Sequence, residues 1–77
     1  MAYRKLKKGQ LIKLFTGPKK VLSDAMPNVG SGTGRLGIKL MDLRSGVHQW
    51  WDYDCVLQNA TELTELDIIL YVKKEFL

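Results

Sequence analysis

Apolar and polar residues alternate most clearly in three stretches, and the alternation has a period of two. In "QLIKLF", behind Gly9, Ile12 and Leu14 alternate with Leu11, Lys13 and Phe15, which predicts a β-strand. Gly17-Pro18 is expected to end it, because proline has no N–H for a ladder and glycine permits a turn. Further on, "RLGIKLMDL" places Leu36, Ile38 and Leu40 on one face, and "HQWWDYDCVL" does the same for Gln49, Trp51, Tyr53, Cys55 and Leu57, with "RSG" between them as a turn. A hairpin follows. If facing residue numbers sum to 91, Leu40 meets Trp51, Ile38 meets Tyr53 and Leu36 meets Cys55 inside, while Lys39 meets Asp52 and Met41 meets Trp50 outside. A one-residue slip would bury Asp52 and Asp54 against Ile38 and Leu36 at a cost of several kcal/mol, so burial selects the odd sum.

Two segments are less regular. Residues 19–34, "KKVLSDAMPNVGSGTG", contain Pro27 and three glycines and read as a long loop, with a short extra strand around Val21. Such loops commonly carry contacts. In the C-terminal part, Asn59 and Glu62 have capping-box spacing, and Leu63, Leu66, Leu70 and Leu77 would share a helical face. "DIILYV" is nevertheless rich in β-branched and aromatic residues, so the assignment is one helical turn at residues 60–63 and a closing strand at about 66–73.

The 77 residues make one domain, a basic lead-in at 1–8 followed by a body at 9–77, with little surface to spare for a deep catalytic cleft. Composition is that of a globular chain, 45% hydrophobic and 26% charged, without an apolar run long enough to cross a bilayer. "MAYRKLKKGQ" has bases but no apolar stretch behind them, so no secretory leader and a cytoplasmic setting are expected. The single Cys55 excludes an internal disulfide and any zinc site built from cysteine pairs.

Charge divides the chain. Arg4, Lys5, Lys7, Lys8, Lys13, Lys19 and Lys20 all precede the first acid, Asp24, so residues 1–23 carry +7, and five bases against eight acids leave the remainder at −3. A basic end of this kind suits phosphates or an acidic protein face, and equally serves as a solvating arm.

The chemical motifs are weak. "GTGRLG", Gly32 to Gly37, has dinucleotide-loop spacing, with Asp52 where a ribose carboxylate would sit. The pattern requires a strand before and a helix after it, whereas here a loop precedes and "IKLMDL" reads as a strand. His48, Asp52 and Asp54 share a strand parity that places them outside as ordinary surface charges, and no metal or cofactor is expected. Cys55 and His48 have opposite parity, so they make no nucleophile and base, and no catalytic residues are assigned. Trp51 is the expected core anchor. Trp50 must then point outward beside Met41 and Lys39, where an uncovered indole marks a contact unless a loop folds over it.

"KKGQLIKLFTGPKK" resembles the start of the SH3-like small barrels, particularly the KOW type, at Gly9, Leu11, Ile12, Leu14, Gly17 and Lys19, and "GRLGIKL" resembles their glycine-led second strand. The resemblance implies an all-β, five-stranded SH3-like barrel with one short helical turn before the last strand. It also implies a binding role, on protein or on nucleic acid, of a sort found among small phage and accessory proteins. Residues 21–30 interrupt the KOW pattern between the basic turn and the glycines, and the aromatic set that reads proline-rich peptides is missing. The sequence is therefore read as a non-catalytic module docking on a protein through Trp50, Met41 and Lys39. The alternative is nucleic-acid binding through Arg4, Lys5, Lys7, Lys8, Lys13, Lys19 and Lys20. Monomer and homo-oligomer both fit an exposed strand edge.

Overall fold

The computed structural model describes residues 5–27 and 36–77. Strand β1 (Leu11–Leu14) turns through Phe15 and Thr16 into β2 (Gly17–Val21), and Met26–Pro27 form a two-residue β3. Then come β4 (Leu36–Asp42), β5 (His48–Asp52), helix α1 (Tyr53–Asn59), the two-residue β6 (Thr61–Glu62), helix α2 (Glu65–Tyr71) and a 3₁₀ turn at Lys74–Phe76. All pairings are antiparallel. β4 receives β5 along one edge and, along the other, β2 followed by β3; β1 lies between β2 and β6. The sheet is thus mostly a meander with two short helices, and it is not closed into the five-stranded barrel expected from the sequence.

The period of two does its expected work on one face. Ile12 and Leu14 of β1, Val21 of β2, and Ile38 and Leu40 of β4 form a buried row, which Tyr53 and Val56 of α1 cover together with Leu6 and Ala60. Burying each aliphatic side chain contributes about 1.5–3 kcal/mol relative to leaving it exposed. Tyr53 carries its hydroxyl into this core, where it accepts the Leu6 N–H at 3.2 Å. Among the described residues, no helix is long and apolar enough to cross a membrane.

Three elements differ from expectation. The short extra strand expected around Val21 is β2, but it starts at Gly17 and runs between β1 and β4, so Gly17-Pro18 lies inside a strand where it was expected to stop one and open a loop. Pro18 is tolerated there because its nitrogen faces away from β1. The Leu43 N–H donates to the Pro18 carbonyl at 3.1 Å, and the Leu43 carbonyl that a residue 18 N–H would have served instead accepts the Lys73 N–H at 3.0 Å. Residues 28–34 of the expected loop lie outside the described residues. At the other end, the closing strand is β6, and "ELDIILY" is a helix, the reverse of the assignment at 60–63 and 66–73. Thr64 decides this: its hydroxyl accepts the Asp67 N–H at 3.2 Å, and its own N–H donates to the Asp67 carboxylate at 3.2 Å, a complete capping box that outweighs the β preference of Ile68 and Ile69.

The third difference is the hairpin register. Ile38 faces Trp51, Lys39 faces Trp50, and Met41 faces His48, a sum of 89 instead of 91. Parity is unchanged by a shift of two, so Ile38, Leu40 and Trp51 keep the inner face and Trp50 the outer, but Leu36, expected inside against Cys55, is exposed at the start of β4 because Cys55 lies on α1 and does not face it. The shorter β5 results from Asp52, whose carboxylate accepts the Asp54 N–H at 3.0 Å and starts α1, so Tyr53 reaches the core from a helix and not from a strand. The loop is correspondingly longer, with Leu43 buried and Gly46 at φ +79°.

Gly46 is fixed twice over, since that φ disfavours any side chain and an added Cβ would come within 2.7 Å of the Phe76 ring. Gly46→Ala is expected to cost about 1–3 kcal/mol. Urea unfolding checks it, and a loss under about 0.5 kcal/mol, the level of an ordinary surface change, would mean Phe76 does not rest on this turn.

Candidate docking face

The outer face of the β4–β5 hairpin carries the residues singled out in the sequence. Trp50 is 54% exposed, and Lys39 stands directly across from it, a position at which Cβ atoms are about 4.5–5.5 Å apart. Met41, paired with His48, lies one diagonal away. Both Lys39 and Met41 are half-buried. The backbone beneath is firmly held: the Lys39 carbonyl accepts the Leu22 N–H at 2.8 Å and the Lys39 N–H donates to the Ser23 hydroxyl at 3.2 Å. An indole on a rigid strand loses little freedom when it is covered, which suits a contact residue. Trp51, on the inner face, is half-buried against the core and meets the Phe15 ring edge-on at 6.0 Å and 71°.

The basic residues do not form one surface. Lys19 shares the inner parity of Val21, and its side chain is only 3% exposed. Its ammonium donates to Asp42 at 3.0 Å. It is thereby withdrawn from any phosphate-facing set, a correction to the alternative reading, because alternation along β2 points it inward and the cross-strand carboxylate retains it. Lys13 is outward but donates to Asp67 at 3.1 Å, and Lys20 donates to the Leu77 carbonyl at 2.9 Å. Lys5, Lys7 and Lys8 are exposed, and Arg4 lies outside the described residues.

Two carboxylates are pulled below their usual range. Burial alone would raise Asp42, but the Arg44 N–H at 2.7 Å and the Lys19 ammonium together outweigh it. Asp67 is lowered by the Thr64 hydroxyl at 2.8 Å, then by Lys13 and the Thr64 N–H. Near these pairs, Phe15, Arg44, Leu63 and Tyr71 line a cleft of about 260 Å³. Its two cations are already engaged, Lys13 with Asp67 and Arg44 with the Thr16 carbonyl at 2.6 Å, so the cleft is best understood as a seam between α2 and the β1–β2 turn.

His48, Asp52 and Asp54 are not gathered on one strand face: His48 and Asp52 stand at opposite ends of β5, Asp52 also caps α1, and Asp54 lies on α1. Among the described residues, no three His, Cys, Asp or Glu side chains are grouped to hold a metal ion. Cys55 lies on α1, half-buried, so the strand-parity comparison with His48 does not apply to it. The glycine motif continues into a strand at Leu36, where a dinucleotide fold would place a helix. No family model, curated protein or solved structure matches the chain.

The sequence reading missed one surface. Leu66, Ile69 and Leu70 of α2 are all exposed, on a helix whose buried residue is Asp67. The spacing of Leu66 and Leu70 was visible, but treating the stretch as a strand dispersed the signal.

Proposed function

We propose that this chain is a non-catalytic binding module of SH3-like type that docks on a protein partner, seated in a reducing cytoplasmic setting. One observation carries the reading: a tryptophan more than half exposed, on a hydrogen-bonded strand, opposite a lysine and diagonal to a methionine. Covering an indole releases a large apolar area at small entropic cost, and the Lys39 stem and Met41 supply adaptable apolar edges around it. The exposed bases of the lead-in steer an acidic partner toward the face. The SH3-like assignment is supported by a helix, α1, set immediately before a short strand that returns to pair with β1. The nucleic-acid alternative is weakened by the engagement of Lys13, Lys19 and Lys20 within the fold.

The test compares wild type and Trp50→Ala as immobilised baits in extract of the native host. A protein retained by wild type and lost with Trp50→Ala, while stability stays within about 0.5 kcal/mol, is the expected result. Equal retention on both baits, or retention of nucleic acid alone, would refute docking through Trp50.

A further inference from the structure

We infer that the outer face of α2 is a self-association surface that seats α2 of a second copy of this chain in antiparallel orientation. A surface helix ordinarily turns its apolar stripe toward the core. Here a second apolar stripe is left outside. Leu66, Ile69 and Leu70, at i, i+3 and i+4, form one stripe and are 63%, 78% and 59% exposed, while the inward side carries buried Asp67 beside half-buried Ile68 and Val72.

This orientation is fixed. Asp67 closes the capping box with Thr64 and receives the Lys13 ammonium at 3.1 Å, so its side of the helix is pinned to β1 and the stripe of Leu66, Ile69 and Leu70 is held outward. Exposed Tyr71 continues the patch at the C-terminal end. Scattered apolar residues on a surface need no explanation, but a contiguous stripe on one helix marks an interface.

Charge selects the occupant. Glu62 and Glu65 stand at the N-terminal end of α2, and Lys73 and Lys74 follow its C-terminal end, all exposed. Among the described residues, neither the Glu65 carboxylate nor the Lys73 ammonium has a partner within the chain. A two-fold interface is self-complementary, so that if residue i meets j, j also meets i. Antiparallel pairing about Ile69 brings the acidic N-terminal end of each α2, with Glu65, toward the lysines that follow the C-terminal end of the other, Lys73 first among them. It also opposes the two helix dipoles favourably. A parallel pairing would set acid on acid and base on base. A helix of seven residues is only about 10 Å long, too short to bury the roughly 800 Å² per partner of a standard interface, so the dimer is a weak, concentration-dependent one.

Sedimentation equilibrium between about 10 µM and 1 mM reads the association in the range expected for so small an interface. Wild type is expected to dimerise. Ile69→Lys, at a position too exposed to disturb folding, should weaken dimerisation at least about tenfold, with the far-ultraviolet circular dichroism unchanged. Glu65→Lys and Lys73→Glu should each weaken it alone, and an equimolar mixture of the two should recover it, since every charged pair in the mixed dimer is again opposite in sign. Trp50→Ala should dimerise as wild type does. A wild type that stays monomeric throughout, a dimer indifferent to Ile69→Lys, or a mixture that does not recover would overturn the inference.

Discussion

Replacing Asp42 by alanine should destabilise the fold by about 3 kcal/mol, far more than its place at a strand end suggests. The cost does not come from the lost carboxylate alone. Lys19 lies on the inner face of β2, 2% exposed as a whole residue, and Asp42 is its cross-strand neighbour and the acceptor of its ammonium at 3.0 Å. Without Asp42 a buried cation is left without its partner. Lys19→Met should be milder by more than about 1 kcal/mol, because the methionine retains the apolar stem, and Asp42, at 16% exposure, still accepts the Arg44 N–H at 2.7 Å. Urea unfolding of the two variants measures the asymmetry; equal losses would mean the ammonium reaches water. The pair also gives acid sensitivity. The Asp42 carboxyl is lower in the folded protein than its ordinary 3.8, so the unfolded chain takes up its proton first as pH falls. The stabilisation is therefore complete above that value and is lost as pH drops through the depressed folded one. Asp42→Ala should remove this group's share of the loss, with Asp67, also lowered, retaining its own.

The second large effect separates two adjacent residues. Trp51→Ala should cost about 3 kcal/mol, the lower end for a tryptophan removed from a core, because the ring is half-buried between the inner row and Phe15. Trp50→Ala should cost no more than about 0.5 kcal/mol, its indole being outside. In a domain of this size, 3 kcal/mol is a large fraction of the whole stability. Thermal and urea unfolding of the pair reads the difference directly. Comparable losses would mean that the strand does not divide the two indoles between faces.

What was legible in the sequence was parity, and what was not was where each strand stops. Ile12, Leu14, Ile38, Leu40 and Trp51 fall on the inner face and Trp50 on the outer, because a period of two survives any even shift in register. The endpoints depend on hydrogen bonds that a single sequence presents ambiguously. Asp52 and Asp54 looked like strand charges, yet Asp52 caps a helix and shortens β5, which moves the register by two. Pro18 looked like a terminator. It lies within a strand because the carbonyl it leaves unserved accepts a bond from Lys73, 55 positions away, a compensation that no local window contains.

The docking residues were legible for the same reason. Trp50 and Lys39 lie on the outer parity under either register, and the structure brings them directly opposite each other where the sequence had paired Trp50 with Met41. Lys19 was not legible as a core residue, because a lysine is assigned outward by type, and only β2's alternation with Val21 and the cross-strand Asp42 turn it in. For α2, "DIILYV" has the composition of a strand, and the overriding signal, Thr64 with Asp67 three residues later, is a single pair of polar residues.

The division of the two indoles by the β4–β5 hairpin is tested most directly by cross-strand nuclear Overhauser effects. Asp42 donates its N–H to the Val47 carbonyl at 2.9 Å, which makes Met41 with His48 and Lys39 with Trp50 the close, non-hydrogen-bonded pairs, about 4.5 Å between Cα atoms. The account predicts strong Hα–Hα effects between Lys39 and Trp50 and between Met41 and His48. Strong effects from Lys39 to Asp52 and from Met41 to Trp50 would show the other odd register and contradict it, and an even register, with Trp50 facing the core, would remove the proposed docking face altogether.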